Sequence, residues 1–174
     1  MSKSSFVGIG LVNPKSPTNV GGIMRAVGCY SADAVFYTGK RYELAATNGT
    51  AQYNTDTKRA SSSIPLTKVE SLLDAIDPDV KVVCVDLVEG AIPLPEFKHP
   101  EKAIYIFGPE DGTISQQVVN SADAVVYVPT VGCMNLAASV NVLLYDRLAK
   151  SASIASDDLI RTSRDTNNRV RVKR

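Results

Sequence analysis

Short apolar runs bounded by turn residues alternate with stretches of helical spacing along this chain. Phe6–Val12, Ala34–Thr38, Val80–Leu87, Ala103–Phe107 and Ala124–Val128 have strand length and are rich in Val, Ile, Phe and Tyr. Between them, apolar residues recur with helical period. Ile23, Val27 and Tyr30 predict a helix over 19–30, and Leu136, Val140, Leu143, Leu144 and Leu148 a longer one. Val69, Leu72, Leu73 and Ile76, opened by Thr67 with Glu70 three residues on, predict a short helix over 67–76 with a capping box. A further short helix is expected near 42–47, and 91–95 reads as a proline-stiffened extended connection. The alternation predicts one α/β domain with a mostly parallel sheet and helices on both faces. Val80–Leu87, almost continuously apolar, suits a strand covered on both sides. Gly108-Pro109 and Pro129 with Gly132 end the last two strands, so both following loops leave strand carboxyl ends, where open α/β sheets place their ligands.

Composition changes this picture little. A chain of 174 residues with 44% hydrophobic and 21% charged residues suits a single core-forming domain. No apolar run approaches the ~20 residues of a membrane span, and the amino terminus has no signal-peptide pattern, so a cytoplasmic location is expected. Cys29, Cys84 and Cys133 are too scattered for a disulfide framework or a zinc site, and Cys29 and Cys84 read as buried hydrophobes. No His/Cys/Asp cluster suggests a metal. The only histidine, His99, lacks a nucleophile partner and reads as a surface residue.

Charge divides the chain. Six of the last fourteen residues are basic against Asp165 alone, which makes 161–174 carry +5 and leaves −4 on the preceding 160. We expect a domain over 1–155 and a basic, disordered tail over 156–174, either an arm for nucleic acid or merely a solubilising end. Lys40, Arg41, Lys58 and Arg59 make 39–63 the most basic part of the body.

The Gly8-x-Gly10 pair lies inside a strand rather than opening a helix, which excludes a dinucleotide fingerprint, and no P-loop is present. Three polar loops remain. The first runs from Asn13 to Arg25 and holds Asn19, Gly21 and Arg25. The second is Phe107–Ser115 with Glu110, and the third is Val128–Leu136 with Cys133, Met134 and Asn135. Taken singly, Asn19 and Asn135 suit helix N-caps, Glu110 a turn and Arg25 a surface helix.

In order and spacing the three loops resemble the three motifs of the SpoU (TrmH) family of RNA ribose methyltransferases, in the SPOUT superfamily. The likeness covers roughly residues 6–150 and is nearest to a small single-domain branch acting on the tRNA wobble nucleotide. Asn19, Gly21 and Arg25 match N-x-G-x-x-x-R, and Cys133-Met134-Asn135-Leu136 resembles S-[LM]-N-[LV]. The resemblance implies a deep trefoil knot made by about 102–150, an exception to the usual avoidance of knots. It implies S-adenosylmethionine bound by Val85, Asp86, Phe107, Gly108, Glu110, Val128, Cys133 and Met134. It also implies a homodimer in which Arg25 meets the other subunit's cofactor, with an apolar face on the helices of Asn19 and Asn135.

The activity implied is methyl transfer to a ribose 2′-hydroxyl of RNA, tRNA being favoured over rRNA, without a metal. A guanidinium is a poor base, so Arg25 is expected to clamp a phosphate and stabilise the incipient oxyanion, oriented by Glu110, while Asn19 and Asn135 position the ribose. Arg25, Lys40, Arg41, Lys58 and Arg59 would contact RNA phosphate. Two departures stand out: Thr113 occupies the usual glycine place of motif two, and Cys133 the usual serine place of a shortened motif three. They leave room for a knotted protein that binds RNA or cofactor without turnover. A methyltransferase acting on an RNA base is the other alternative.

Overall fold

The computed structural model describes residues 3–48, 62–152 and 155–173. Its centre is a seven-stranded, wholly parallel sheet in the order β3-β2-β1-β6-β4-β7-β5. The strands are β1 (Phe6–Leu11), β2 (Ala34–Tyr37), β3 (Leu66–Lys68), β4 (Lys81–Val85), β5 (Ile92–Pro93), β6 (Lys102–Phe107) and β7 (Ala124–Tyr127). Helices α1 (Pro17–Cys29), α2 (Arg41–Asn48), α3 (Gln116–Ser121), α4 (Leu136–Lys150) and α5 (Asp157–Ser163) complete it. The chain enters the middle of the sheet late, since β6 sits between β1 and β4.

Strand alternation sorts the core into two layers. Ile9, Leu11, Val83, Val85, Tyr105 and Phe107 face α1 and α4, whose Val20, Ile23, Val27, Val140, Leu143 and Leu144 are buried against them. Val82, Cys84, Ile104 and Ile106 face the other way, toward α3 and Leu72. Gly10 belongs to this second side; a Cβ there would meet Leu72, Ile104 and Ile106 at 3.2–3.3 Å. The glycines in β1 therefore make room for packing and have no part in phosphate binding.

Three expectations need correction. Residues 67–76 do not form a helix: Leu66–Lys68 pairs with β2 as the sheet edge, and Leu72 is buried from the turn that follows. Sheet pairing takes Thr67 away from its capping role, and Pro78 disfavours helix at the residue before it. Cys29 is exposed at the end of α1, whereas Cys84 is buried as expected. His99 is a network residue whose side chain is only 5% exposed. At the far edge, the stretch read as a connection supplies β5 and a 3₁₀ turn, Leu94–Glu96. Beyond α4, α5 is capped by Ser156 and carries Asp157 and Asp158 in its first turn, yet none of its residues is buried.

Candidate active site

The carboxyl ends of β4, β6 and β7 open into a cleft of about 170 Å³. Its walls include Val85, Asp86, Phe107, Gly108, Glu110, Val128, Cys133 and Met134, the eight residues given above for the cofactor, together with Leu87, Pro109, Thr130, Leu136 and Ser139. A roomier hollow of about 630 Å³, lined by Phe97, Lys98, His99 and Arg147 among others, lies at the opposite end of the sheet, away from all three loops.

One hydrogen-bond chain joins the three loops at the rim of the cleft. Backbone amides of Lys15 and Ser16 donate to the Glu110 carboxylate at 2.8 and 3.0 Å, and Asn19 Nδ2 donates to Oε1 at 3.1 Å. Asn135 Nδ2 donates to Asn19 Oδ1 at 2.9 Å, while its own Oδ1 accepts from the amides of Ala137 and Ala138 at 2.9 and 3.2 Å. The direction of the chain is fixed at both ends: an ionised carboxylate only accepts, and free helix N–H groups only donate. Both asparagine amides can thus adopt one orientation only. Burial alone would raise the Glu110 pKa, but its own backbone amide, those of Ser16 and Lys15 and the Asn19 amide outweigh this and hold it below the usual carboxylate range. Glu110 therefore stays an acceptor at neutral pH.

Glu110 makes no ion pair with Arg25, contrary to the orienting role expected of it. Its oxygens are taken up by the first loop and Asn19, so it braces loops. Arg25 is exposed on α1, does not line the cleft, and makes no hydrogen bond or ion pair with any described residue. Lys40 is exposed. Arg41 is committed to structure: its guanidinium holds both Asp111 oxygens at 2.8–2.9 Å and the Asn13 carbonyl at 2.7 and 3.2 Å. Lys58 and Arg59 lie outside the described residues.

A second brace escaped the sequence reading. Asp86 was named for the cofactor, but its carboxylate accepts from Thr113 Oγ1 at 2.7 Å, the Ile114 amide at 3.2 Å and the Leu87 amide at 2.8 Å. Thr113, the departure from the usual glycine, is thus the contact that pins the second loop to the end of β4. The only sequence signal for it was that departure. At Gly108 a Cβ would meet the backbone of Thr113 and Ile114 at 3.1–3.3 Å, so the loop folds back tightly on the strand end. Cys133 is exposed at the cleft, and Thr130 Oγ1 donates to the Gly132 carbonyl at 2.7 Å, closing the third loop on itself.

The chain resembles the SpoU methyltransferase AviRb from Streptomyces viridochromogenes, solved with the cofactor AdoMet, at TM-score 0.63 and 20% identity; the match covers 83% of this chain and 60% of that one, so it spans under two thirds of AviRb. The A. aeolicus TrmH/SpoU tRNA modifying enzyme matches at TM-score 0.66 and 18% identity, over 83% and 74% of the two chains. A structure solved for insight into 2-OH methylation of C/U34 on tRNA matches at TM-score 0.71 and 18% identity, over 86% and 93%. No curated protein sequence matches the chain. The model of the SpoU rRNA Methylase family matches residues 7–145, which contain the sheet, the cleft and all three loops. The chain belongs to the SpoU family, whose members are RNA methyltransferases that use S-adenosylmethionine.

Proposed function

We propose that this protein transfers a methyl group from S-adenosylmethionine to a ribose 2′-hydroxyl of RNA, with tRNA favoured over rRNA. The observation that carries this reading is the chain Glu110–Asn19–Asn135, which ties all three family loops into one rim around the cleft. The structure concerned with 2-OH methylation on tRNA supports the substrate class, because this chain covers 93% of it.

The donor set suits the cofactor. Apolar walls (Val85, Phe107, Val128, Leu136) would hold the adenosine, and backbone at Gly108, just past β6, and at Met134, just before the α4 cap, would meet its polar edges. Asp86 and Glu110 are held by hydrogen bonds to protein and so shape the cleft walls. When bound, S-adenosylmethionine supplies an activated methyl group.

We assign a homodimer built on the outer faces of α1 and α4, which pack together and leave Val142, Tyr145 and Leu148 of α4 exposed. A cleft of about 170 Å³ is smaller than the roughly 300–1,000 Å³ of complete small-molecule sites, so a second copy would supply part of the wall. Arg25, without a partner among the described residues of its own chain, would then reach the partner's site, hold the flanking phosphate in its planar fork and stabilise the developing 2′-oxyanion. The proton would leave to phosphate or water. Asn19 and Asn135 keep the receiving loops in register, and the knot would be formed by the chain from β6 through α4.

Transfer of labelled methyl to separated tRNA and rRNA fractions tests this, with Arg25→Ala beside wild type. Label in tRNA, resistant to alkali at the modified site and lost in the variant, is expected. Alkali-sensitive product would point to base methylation, and cofactor binding without label in any RNA would overturn the enzymatic reading.

A further inference from the structure

An RNA-binding protein must present cations to phosphate, and most of the body's cations among the described residues are already engaged within the chain. Lys3 pairs with Asp33, Lys68 with Glu43, Lys81 with Asp123, Lys102 with Asp79 and Lys150 with Asp146. Arg41 and Lys15 share Asp111. Arg147 is used up on the carbonyls of Pro100 and Glu101 and on Tyr105. Among the described residues before the tail, only Arg25, Lys40 and Lys98 have no such partner, and residues 1–160 carry −4. Such a surface repels a polyanion over distances of about a Debye length, ~8 Å at physiological salt.

The segment after α5 is the reverse. Arg164, Arg169, Arg171 and Lys173 make no ion pair with any described residue. Every described residue from 155 to 173 is exposed except Arg164, which is half-buried. The helix in front keeps its own charges in order: Asp157 and Asp158 sit on its amino-terminal turn, and Arg161 folds back on Asp158 at 2.6 Å. The unpaired cations of the segment therefore all follow α5, and extended backbone over 164–173 spans up to about 33 Å. That is long enough to meet several phosphates along an RNA backbone.

We propose that Arg164, Arg169, Arg171 and Lys173 form an arm that grips RNA phosphate and supplies most of the electrostatic affinity this body lacks. The inference rests on the RNA reading above and adds where binding strength resides. Contacts to phosphate carry no sequence information, so the arm sets affinity, and the cleft with Arg25 sets the site and the chemistry.

The test is the full-length protein with Arg164, Arg169, Arg171 and Lys173 all changed to Gln, titrated against unfractionated tRNA between 50 and 300 mM salt. The slope of log affinity against log salt should become shallower by about 3, since each lost phosphate contact removes roughly 0.7–0.9. KM for RNA should rise about 10-fold or more near physiological salt, with kcat and S-adenosylmethionine affinity unchanged. Equal slope and KM in both proteins, with methylation intact, would overturn the arm while leaving the enzyme reading in place. A variant that loses binding to anionic lipid vesicles but not to tRNA would overturn it in favour of a membrane surface. Wild type with no affinity for RNA would remove the RNA reading and the arm with it.

Discussion

The two ends of α4 are held by polar networks of opposite character. At its amino end, neutral amides and one carboxylate lie exposed beside the cleft. At its carboxyl end, charged groups are drawn inward: Asp146 bonds to His99, Arg147 to Tyr105 and the 100–101 carbonyls, and Lys150 to the carbonyls of Leu94 and Phe97. Exposed hydrogen bonds compete with water and add little stability, while breaking a half-buried network strands polar groups and costs far more. The first end should therefore govern activity and the second stability.

The largest effect should come from reversing one amide at the open end. Asn19→Asp turns a donor into an acceptor against Glu110, about 3 Å away, and the first two loops must part. Displacement on the order of 1 Å at a reacting site can cost about 100-fold, so methyl transfer should fall at least that far with a small change in melting temperature. Comparable losses in turnover and stability would erase the contrast between the two ends. At the closed end, Arg147→Met removes bonds to Pro100, Glu101 and Tyr105 at once. Chemical denaturation should show a loss of about 2–3 kcal/mol, with cofactor affinity within twofold of wild type.

This contrast also marks what the sequence could tell. Strands with continuous apolar runs and the α1 and α4 stripes are local signals, and the structure places those elements where they were expected. The edge strand at Leu66–Lys68 was missed because its pairing with β2 is tertiary, and it overrides a capping pattern that looks sound in isolation. His99 looked like a surface residue because nothing in Lys98-His99-Pro100 announces that Tyr105 and Asp146 will close over it. Polar candidates at the cleft could be picked out singly, but their bonds join residues about 90 to 116 apart, a separation that spacing cannot read. The same holds for Arg41, whose charge suggested RNA and whose partners are Asp111 and Asn13.

Between the two extremes lies the Asp86–Thr113 bond, exposed yet directly beneath the second loop. Thr113→Val keeps the shape and removes the donor. A net hydrogen bond of about 1 kcal/mol predicts about fivefold weaker S-adenosylmethionine binding by calorimetry, and Thr113→Ser should restore it. No change in affinity would mean that Glu110, the Arg41–Asp111 pair and the Ile114 amide hold the loop without Thr113.

The smallest effect is a pH dependence confined to the closed end. Arg147 donates to Tyr105, whose hydroxyl can donate to His99 Nδ1, and Nε2–H then donates to Asp146. Only the neutral imidazole satisfies this order, because a second ring proton would face a hydroxyl already receiving the Arg147 proton. Burial, and less strongly the cations of Arg147 and Lys150, push the His99 pKa below its ordinary value against the opposing pull of Asp146. With the folded pKa depressed, the unfolded chain binds more protons below about pH 6.5, so stability is complete above that value and declines as pH falls toward the folded pKa. His99→Gln reproduces both hydrogen bonds, accepting from Tyr105 and donating to Asp146, and cannot titrate. Melting temperatures between pH 7.5 and 5 should therefore fall more steeply in wild type than in the variant. Parallel curves would place the titration elsewhere and leave His99 as a spacer between Tyr105 and Asp146.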